Sequence, residues 1–148
     1  MLDNETIRKA MVGDAWQNRR YAYAPYSNYK VGAAVRIKQS LYYGWNIENM
    51  SYGLTICAER VALCDALVRY KQNWGTTDPT IDELVFATDT PGEHFGPCGA
   101  CLQFISEFAL LDCLITHYNG QTSKTWRLNE LLPHNGAKTS ILTSSNSI

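Results

Sequence analysis

The chain has 148 residues, 45% hydrophobic and 18% charged, with a formal net charge of −1. That length fits one domain with a real core, and the composition is ordinary for a globular protein. The lack of a Lys/Arg-rich run argues against a nucleic-acid partner, and no apolar run approaches the ~20 residues of a membrane span.

The N-terminus, Met1-Leu2-Asp3-Asn4-Glu5, carries acidic residues and no apolar stretch, so no secretory signal is expected. Five cysteines without such a signal fit a metal site in a reducing compartment better than a disulfide framework. The expected location is the cytoplasm.

Helical spacing of Ile7, Met11 and Ala15, with Ala10 and Trp16 nearby, predicts a helix over 4–23. Ala24-Pro25-Tyr26-Ser27-Asn28 is a turn. Residues 31–37 read as a strand whose Gly32-Ala33-Ala34 admits close approach of another backbone. A short turn at 39–40 and a second strand over 41–47 complete a hairpin. Residues 48–55 form a polar loop, and 57–73 a helix with Val61, Leu63, Cys64, Leu67 and Val68 along one side.

Gly75 to Pro79 breaks the chain. Residues 84–88 form a short apolar strand, 89–96 a loop, and Pro97 opens a helix over 98–110. Strands at 113–118 and 124–127 flank a turn at 119–121. A helical turn at 129–132 stops at Pro133. Residues 1–135 are expected to form one domain. The Ser/Thr/Asn-rich stretch 136–148 is expected to be a mobile tail. The element order predicts one mixed sheet with helices on both faces.

The chemistry concentrates in Cys57-Ala58-Glu59 and Pro97-Cys98-Gly99-Ala100-Cys101. Three thiolates can hold Zn²⁺ and leave a fourth position for water. This is the pattern of zinc-dependent base deaminases, with a Cys at the first ligand position. Both segments open helices, whose free N–H groups and dipoles favour thiolate over thiol. Three thiolates against one Zn²⁺ leave the site net negative. Arg60, three residues after Cys57, is the candidate to balance it. Zinc lowers the pKa of bound water toward ~7, and Glu59 is placed to carry its proton. The implied reaction is hydrolytic removal of an exocyclic amine.

A closed structural zinc site is the competing reading, with His94 or Cys64 as fourth ligand. Cys64 lies roughly 10 Å along the helix from Cys57, too far to share one ion. His94, in a loop, reads as solvated. Cys64 and Cys113 read as buried core thiols.

The blocks 24–34 (Ala-Pro-Tyr-Ser-Asn-Tyr-Lys-Val-Gly-Ala-Ala), Asn46-Ile47-Glu48-Asn49, Cys57-Ala58-Glu59-Arg60, Pro97-Cys98-Gly99-Ala100-Cys101 and Glu130-Leu131-Leu132-Pro133 occur in order. In this the chain resembles the small, homotetrameric, zinc-dependent cytidine deaminases. The resemblance implies a three-layer α/β/α fold around a mixed five-stranded sheet, and deamination of cytidine and deoxycytidine in pyrimidine salvage. It implies one zinc per subunit on Cys57, Cys98 and Cys101, with Glu59 as proton shuttle. It implies that Asn46 and Glu48 hold the ribose 3′-hydroxyl, a pairing of donor and acceptor that suits a sugar hydroxyl. Tyr29 would stack on the pyrimidine, Ala58 would touch the substrate, and Tyr52 would reach a neighbouring subunit's site. Taken alone, Asn46 and Glu48 read as a solvated loop start, and Tyr29 and Tyr52 as core aromatics.

Two positions depart from the family pattern. Leu102 stands where an Arg is usual, so Arg60 would carry more of the charge balance. No aromatic follows Pro133. These departures leave room for another or modified aminated pyrimidine nucleoside as substrate. A nucleic-acid-editing module and a zinc-structured interaction domain are the remaining readings.

Overall fold

A computed structural model describes residues 2–75 and 79–134. The expected mobile tail at 136–148 and the centre of the break at 76–78 lie outside the described residues.

The first helix, α1 (Asn4–Asn18), opens on Asp3, whose carboxylate accepts from the Thr6 N–H at 2.9 Å. It ends five residues earlier than the periodicity predicts. A single 3-10 turn, Arg19–Tyr21, follows, and Ala22 is already extended. The cause is a bridge between Tyr23 and Ile47, which pulls the chain toward the sheet. Met11 and Ala15 are fully buried as expected, whereas Ala10 is exposed.

Strands β1 (Gly32–Ile37) and β2 (Ser40–Trp45) form the predicted hairpin. Ile47 leaves the strand and bridges Tyr23 and Ile56 instead. A 3-10 turn at Tyr52–Leu54 interrupts the polar loop before α2 (Ala58–Trp74). Then come β3 (Ile81–Ala87), α3 (Gly99–Phe108), β4 (Ala109–Tyr118), β5 (Ser123–Arg127) and the short α4 (Leu128–Leu131).

The sheet order is β2-β1-β3-β4-β5. Only β3 and β4 run parallel, joined through α3; the other neighbours are antiparallel. Alternation along β1 builds two cores. Ala33, Val35 and Ile37 pack with α2, α3 and α4, and Ala34 packs with Met11 and Ala15 of α1. The fold is therefore the expected three-layer α/β/α arrangement with a mixed five-stranded sheet.

The predicted core face of α2 is corrected. Cys64 and Val68 are exposed, and Ala58, Ala62, Leu63, Ala66 and Tyr70 are buried. The helix lies so close to β2 that a methyl on Gly44 would collide with the backbone of Ala58 and Ala62. Cys113 is buried, as expected.

Strand β3 also starts earlier than predicted, because its third residue is a hidden carboxylate. Glu83 is fully buried and paired with Arg8 of α1 and with Arg36 of β1, the latter at 3.3 Å. Paired this way, a buried charge is tolerated inside a strand.

Candidate metal centre and nucleoside pocket

Cys57 and Cys98 are the residues preceding α2 and α3, each with extended backbone, and neither sulfur caps its own helix. The sulfurs are therefore free to face one another. Cys101 lies in the first turn of α3 and is buried. The three Sγ atoms all lie within 4.8 Å of one another, with Cys57 and Cys98 3.9 Å apart. Two helix N-termini thus converge on one sulfur triangle, and both favour negative charge there.

The donor set fits a soft divalent cation. Its contacts with Cys101, Arg60 and Cys98 hold the Cys57 thiol down at about 5, despite partial burial. The Cys57 sulfur and burial push the Cys101 thiol up. Three sulfurs this close cannot all be negative without a cation between them. Three thiolates in a triangle, with the fourth side opening to a cavity, match an open zinc site. Among the described residues, the sulfur triangle is the one group of three metal-binding side chains, and neither His94 nor Cys64 belongs to it.

Arg60 reaches back one turn and donates from Nη2 to the Cys57 sulfur at 3.4 Å. That contact with the sulfurs raises its pKa further, so the guanidinium is a fixed positive charge. Its Nε is buried with no hydrogen-bond partner. Leu102 sits in the core beneath the site and contributes no charge.

Glu59 is 6% exposed and lies at the floor of a cavity of about 260 Å³. Burial, reinforced by the nearby Cys57 charge, pushes its carboxyl up to about 7. The same cavity is lined by Tyr29, Asn46, Glu48, Cys57, Ala58 and Cys98. Five of the residues singled out in the sequence thus meet around one space beside the metal ligands. Phe86, Thr88 and Phe95 also line it. Sequence reasoning missed these three, because each reads as an ordinary strand or loop residue.

Asn46 and Glu48 both organise the loop that carries Tyr29. Asn46 Oδ1 accepts from the Val31 N–H at 2.8 Å, and Nδ2 donates to the Tyr29 carbonyl at 2.8 Å. Glu48 Oε2 accepts from the Tyr26 and Ser27 N–H groups at 2.9 and 3.2 Å, and Oε1 accepts from the Ser27 hydroxyl. The Ser27 bonds hold the Glu48 carboxyl below its ordinary value. Neither residue is the freely solvated loop start that the sequence alone suggested.

Tyr52 is not brought to this cavity. It is 77% exposed, stands edge-on to Tyr26, and lines a neighbouring hollow that shares Ser27, Glu48 and Thr55 with it. His94 is not simply solvated either. Its ring nitrogens face His117 at 3.3 Å and Thr122 at 2.9 Å.

Residues 5–117 match the family model described as the cytidine and deoxycytidylate deaminase zinc-binding region. The chain is 41% identical over 128 residues to a cytidine deaminase of Halalkalibacterium halodurans, covering 85% of this chain and 91% of that one. It is 34% identical over 126 residues to a cytidine deaminase of Sporosarcina psychrophila, covering 83% and 86%. The crystal structure of cytidine deaminase from Burkholderia pseudomallei superposes with a TM-score of 0.74 at 35% identity, covering 85% of this chain and 96% of that one. The fold and the sulfur triangle define a zinc-dependent deaminase. More narrowly, the chain belongs to the cytidine and deoxycytidylate deaminase family.

Proposed function

We propose that this chain hydrolyses cytidine and deoxycytidine to uridine and deoxyuridine, releasing ammonia, as a step of pyrimidine salvage in the cytoplasm. The observation that carries this reading is a three-sulfur cluster and a buried carboxyl meeting at the edge of one small cavity with an aromatic wall. Zinc held by Cys57, Cys98 and Cys101 supplies a polarised water as nucleophile when bound. Glu59 would take one proton from the attacking water and deliver it to the pyrimidine ring nitrogen, then carry the second, from the hydroxyl left on the attacked ring carbon, to the departing amine. Arg60 and the two helix N-termini balance the charge of the thiolates.

Tyr29 lies flat on the pyrimidine, and Ala58 lets the ring approach the metal closely. Asn46 and Glu48, already holding the Tyr29 loop, keep an amide hydrogen and carboxylate lone pairs for the ribose 3′-hydroxyl. A nucleoside lacking that hydroxyl would leave them unsatisfied, so it binds poorly. The cavity's size suits a free nucleoside, and the chain's weak net charge gives no support for holding a phosphate polymer.

The working assembly is a homotetramer. Support comes from the exposed apolar side chains Tyr26, Ile47, Met50, Tyr52, Leu54 and Ile56, which gather around the pocket mouth and the loop beside it. Tyr52 then serves a neighbouring subunit's site, consistent with its 77% exposure outside the lining of its own cavity. Light scattering gives the mass directly, and a monomeric enzyme at full activity would contradict this assembly.

The test is an absorbance and ammonia assay of the purified protein on cytidine, deoxycytidine and a panel of base-modified analogues, with zinc measured in the same preparation. One zinc per chain with turnover of cytidine is expected. An inert protein, or turnover confined to a modified base, would overturn the substrate assignment.

A further inference from the structure

Residues 88–98 join β3 to α3, and Phe95, Gly96 and Pro97 among them line the nucleoside cavity. Apart from a turn at 91–92, this segment has no regular structure. Its first half is tied to the turn between β4 and β5. The Thr90 N–H donates to the Asn119 carbonyl at 3.2 Å, and Asn119 Nδ2 donates to the Glu93 carbonyl at 3.1 Å. Its second half is held differently. Among the described residues, the hydrogen bonds of residues 94–97 all end on His117 or Thr122.

His117, near the end of β4, is fully buried and sits opposite Phe86 in the parallel register. Its ring stacks on Phe86 with centroids 4.6 Å apart and packs against the Phe95 ring at 4.5 Å. The Phe95 N–H donates to His117 Nδ1 at 3.4 Å, so Nδ1 is bare and the proton is on Nε2. Nε2–H donates to Thr88 Oγ1 at 2.7 Å, which fixes the imidazole from its far side. His94 Nδ1 lies 3.3 Å from the same bare nitrogen and donates its hydrogen to it. His94 Nε2 then accepts from the Thr122 hydroxyl at 2.9 Å. Burial, with His94 alongside, pushes the His117 imidazole down to about 4, so at physiological pH it is neutral and keeps its acceptor.

We propose that His94 and His117 are positioning residues for the nucleoside pocket: together they clip residues 94–97 to β4 and to the turn after it, and so hold the Phe95 ring in the cavity wall. The proposal rests on the nucleoside reading given above. Phe95 needs such a clip because it is 38% exposed and is followed by Gly96, whose backbone is the most easily reoriented. A wall that is not held must be ordered each time a ligand binds, at a cost to affinity. Cys98 has an anchor of its own, since its carbonyl accepts from the Leu102 N–H at 2.9 Å as α3 begins. The clip therefore serves nucleoside binding rather than the metal.

The experiment measures KM and kcat for cytidine, with zinc content on the same samples, in wild type, His94→Ala, His94→Asn, Phe95→Ala and the double variant His94→Ala/Phe95→Ala. His94 is only half-buried, so its replacement leaves the core packed. His94→Ala raises KM by about three- to tenfold and affects kcat less, since a held wall serves binding more than chemistry. Zinc stays at one per chain. His94→Asn, whose amide N–H can reach His117 from the position of Nδ1, keeps KM closer to wild type than His94→Ala does. In the double variant the loss of His94 adds nothing to the loss of Phe95, because the clip acts through that ring. An unchanged KM in His94→Ala, additive effects in the double variant, or zinc lost from His94→Ala overturns the proposal. Nitrogen-15 NMR of the imidazoles tests the clip without turnover: a His117 proton on Nε2 supports it, and one on Nδ1 overturns it. Cytidine left intact by the wild type would overturn the nucleoside reading, and this role with it, whereas wild-type turnover with an unchanged KM in His94→Ala overturns the clip alone.

Discussion

Arg60 donates to the sulfur of Cys57 across 3.4 Å from one turn further along the same helix. The contact joins a fixed positive charge to the Cys57 thiol, which it helps to hold down at about 5. With Leu102 buried in the core where a second cation could have stood, much of the charge balance around the sulfurs falls to this one side chain.

Replacing it has a definite consequence. Arg60→Ala leaves the site more negative and lowers kcat for cytidine by about tenfold or more, the scale of one lost charge-assisted bond. Zinc stays bound, since no ligand is removed. Kinetics equal to wild type would mean that another group balances the thiolates.

Metal removal is the second case. Stripping zinc with a chelator abolishes deamination and lowers the melting temperature, because three sulfurs then crowd together without a cation. Adding zinc back restores both. Cys101→Ala binds well under one zinc per chain and cannot be restored by added metal. Full zinc occupancy in that variant would remove Cys101 from the ligand set.

The third case concerns the buried carboxylate of β3. Glu83→Ala leaves Arg36 uncompensated, with its side chain only 13% exposed, and frees Arg8 from its partner. Breaking such a pair costs about 3 kcal/mol, which lowers the melting temperature by about 10 °C in a domain of this size. Zinc content per folded chain is unchanged. A melting temperature equal to wild type would show that the pair contributes nothing to stability.

The seam between α2 and β2 supplies the fourth. Gly44→Ala drives a methyl into the backbone of Ala58 and Ala62. The helix must move, and its start carries Cys57 as the preceding residue and Glu59 and Arg60 in the first turn. Overpacking of this kind costs about 1–3 kcal/mol, and here it also weakens zinc binding. Lower stability with intact zinc affinity would mean the helix start is held independently of the seam.

Much of the site was legible in the sequence because its parts are local. Cys57 with Glu59, and Cys98 with Cys101, declare a ligand set by spacing alone, and each pair opens a helix as its pattern implies. Asn46, Glu48 and Tyr29 became readable only through the family resemblance, since polar loop residues carry no local mark of what they face. Thr88 and His117 were not legible, because their meeting depends on the register that sets His117 opposite Phe86 across two strands. The signal present was a lone histidine in the apolar run Cys113-Leu114-Ile115-Thr116-His117-Tyr118, which points to a buried, bonded ring. The core face of α2 was misread for a different reason. Hydropathy favours Cys64 and Val68, whereas the face that comes against Gly44 and is buried carries Ala58 and Ala62. Glu83 likewise disguised the start of β3, because its partners lie on α1 and β1, far away in sequence.

The most direct measurement sets wild type beside Glu59→Gln, with zinc content and cytidine turnover determined on the same samples. Glutamine keeps the shape of the side chain and loses its ability to carry a proton. Zinc is expected to remain at one per chain, while kcat falls by at least about a hundredfold, the scale of a lost general acid–base group. Turnover within a few fold of wild type, or zinc lost in parallel with activity, would contradict Glu59 as the proton carrier of a deaminase.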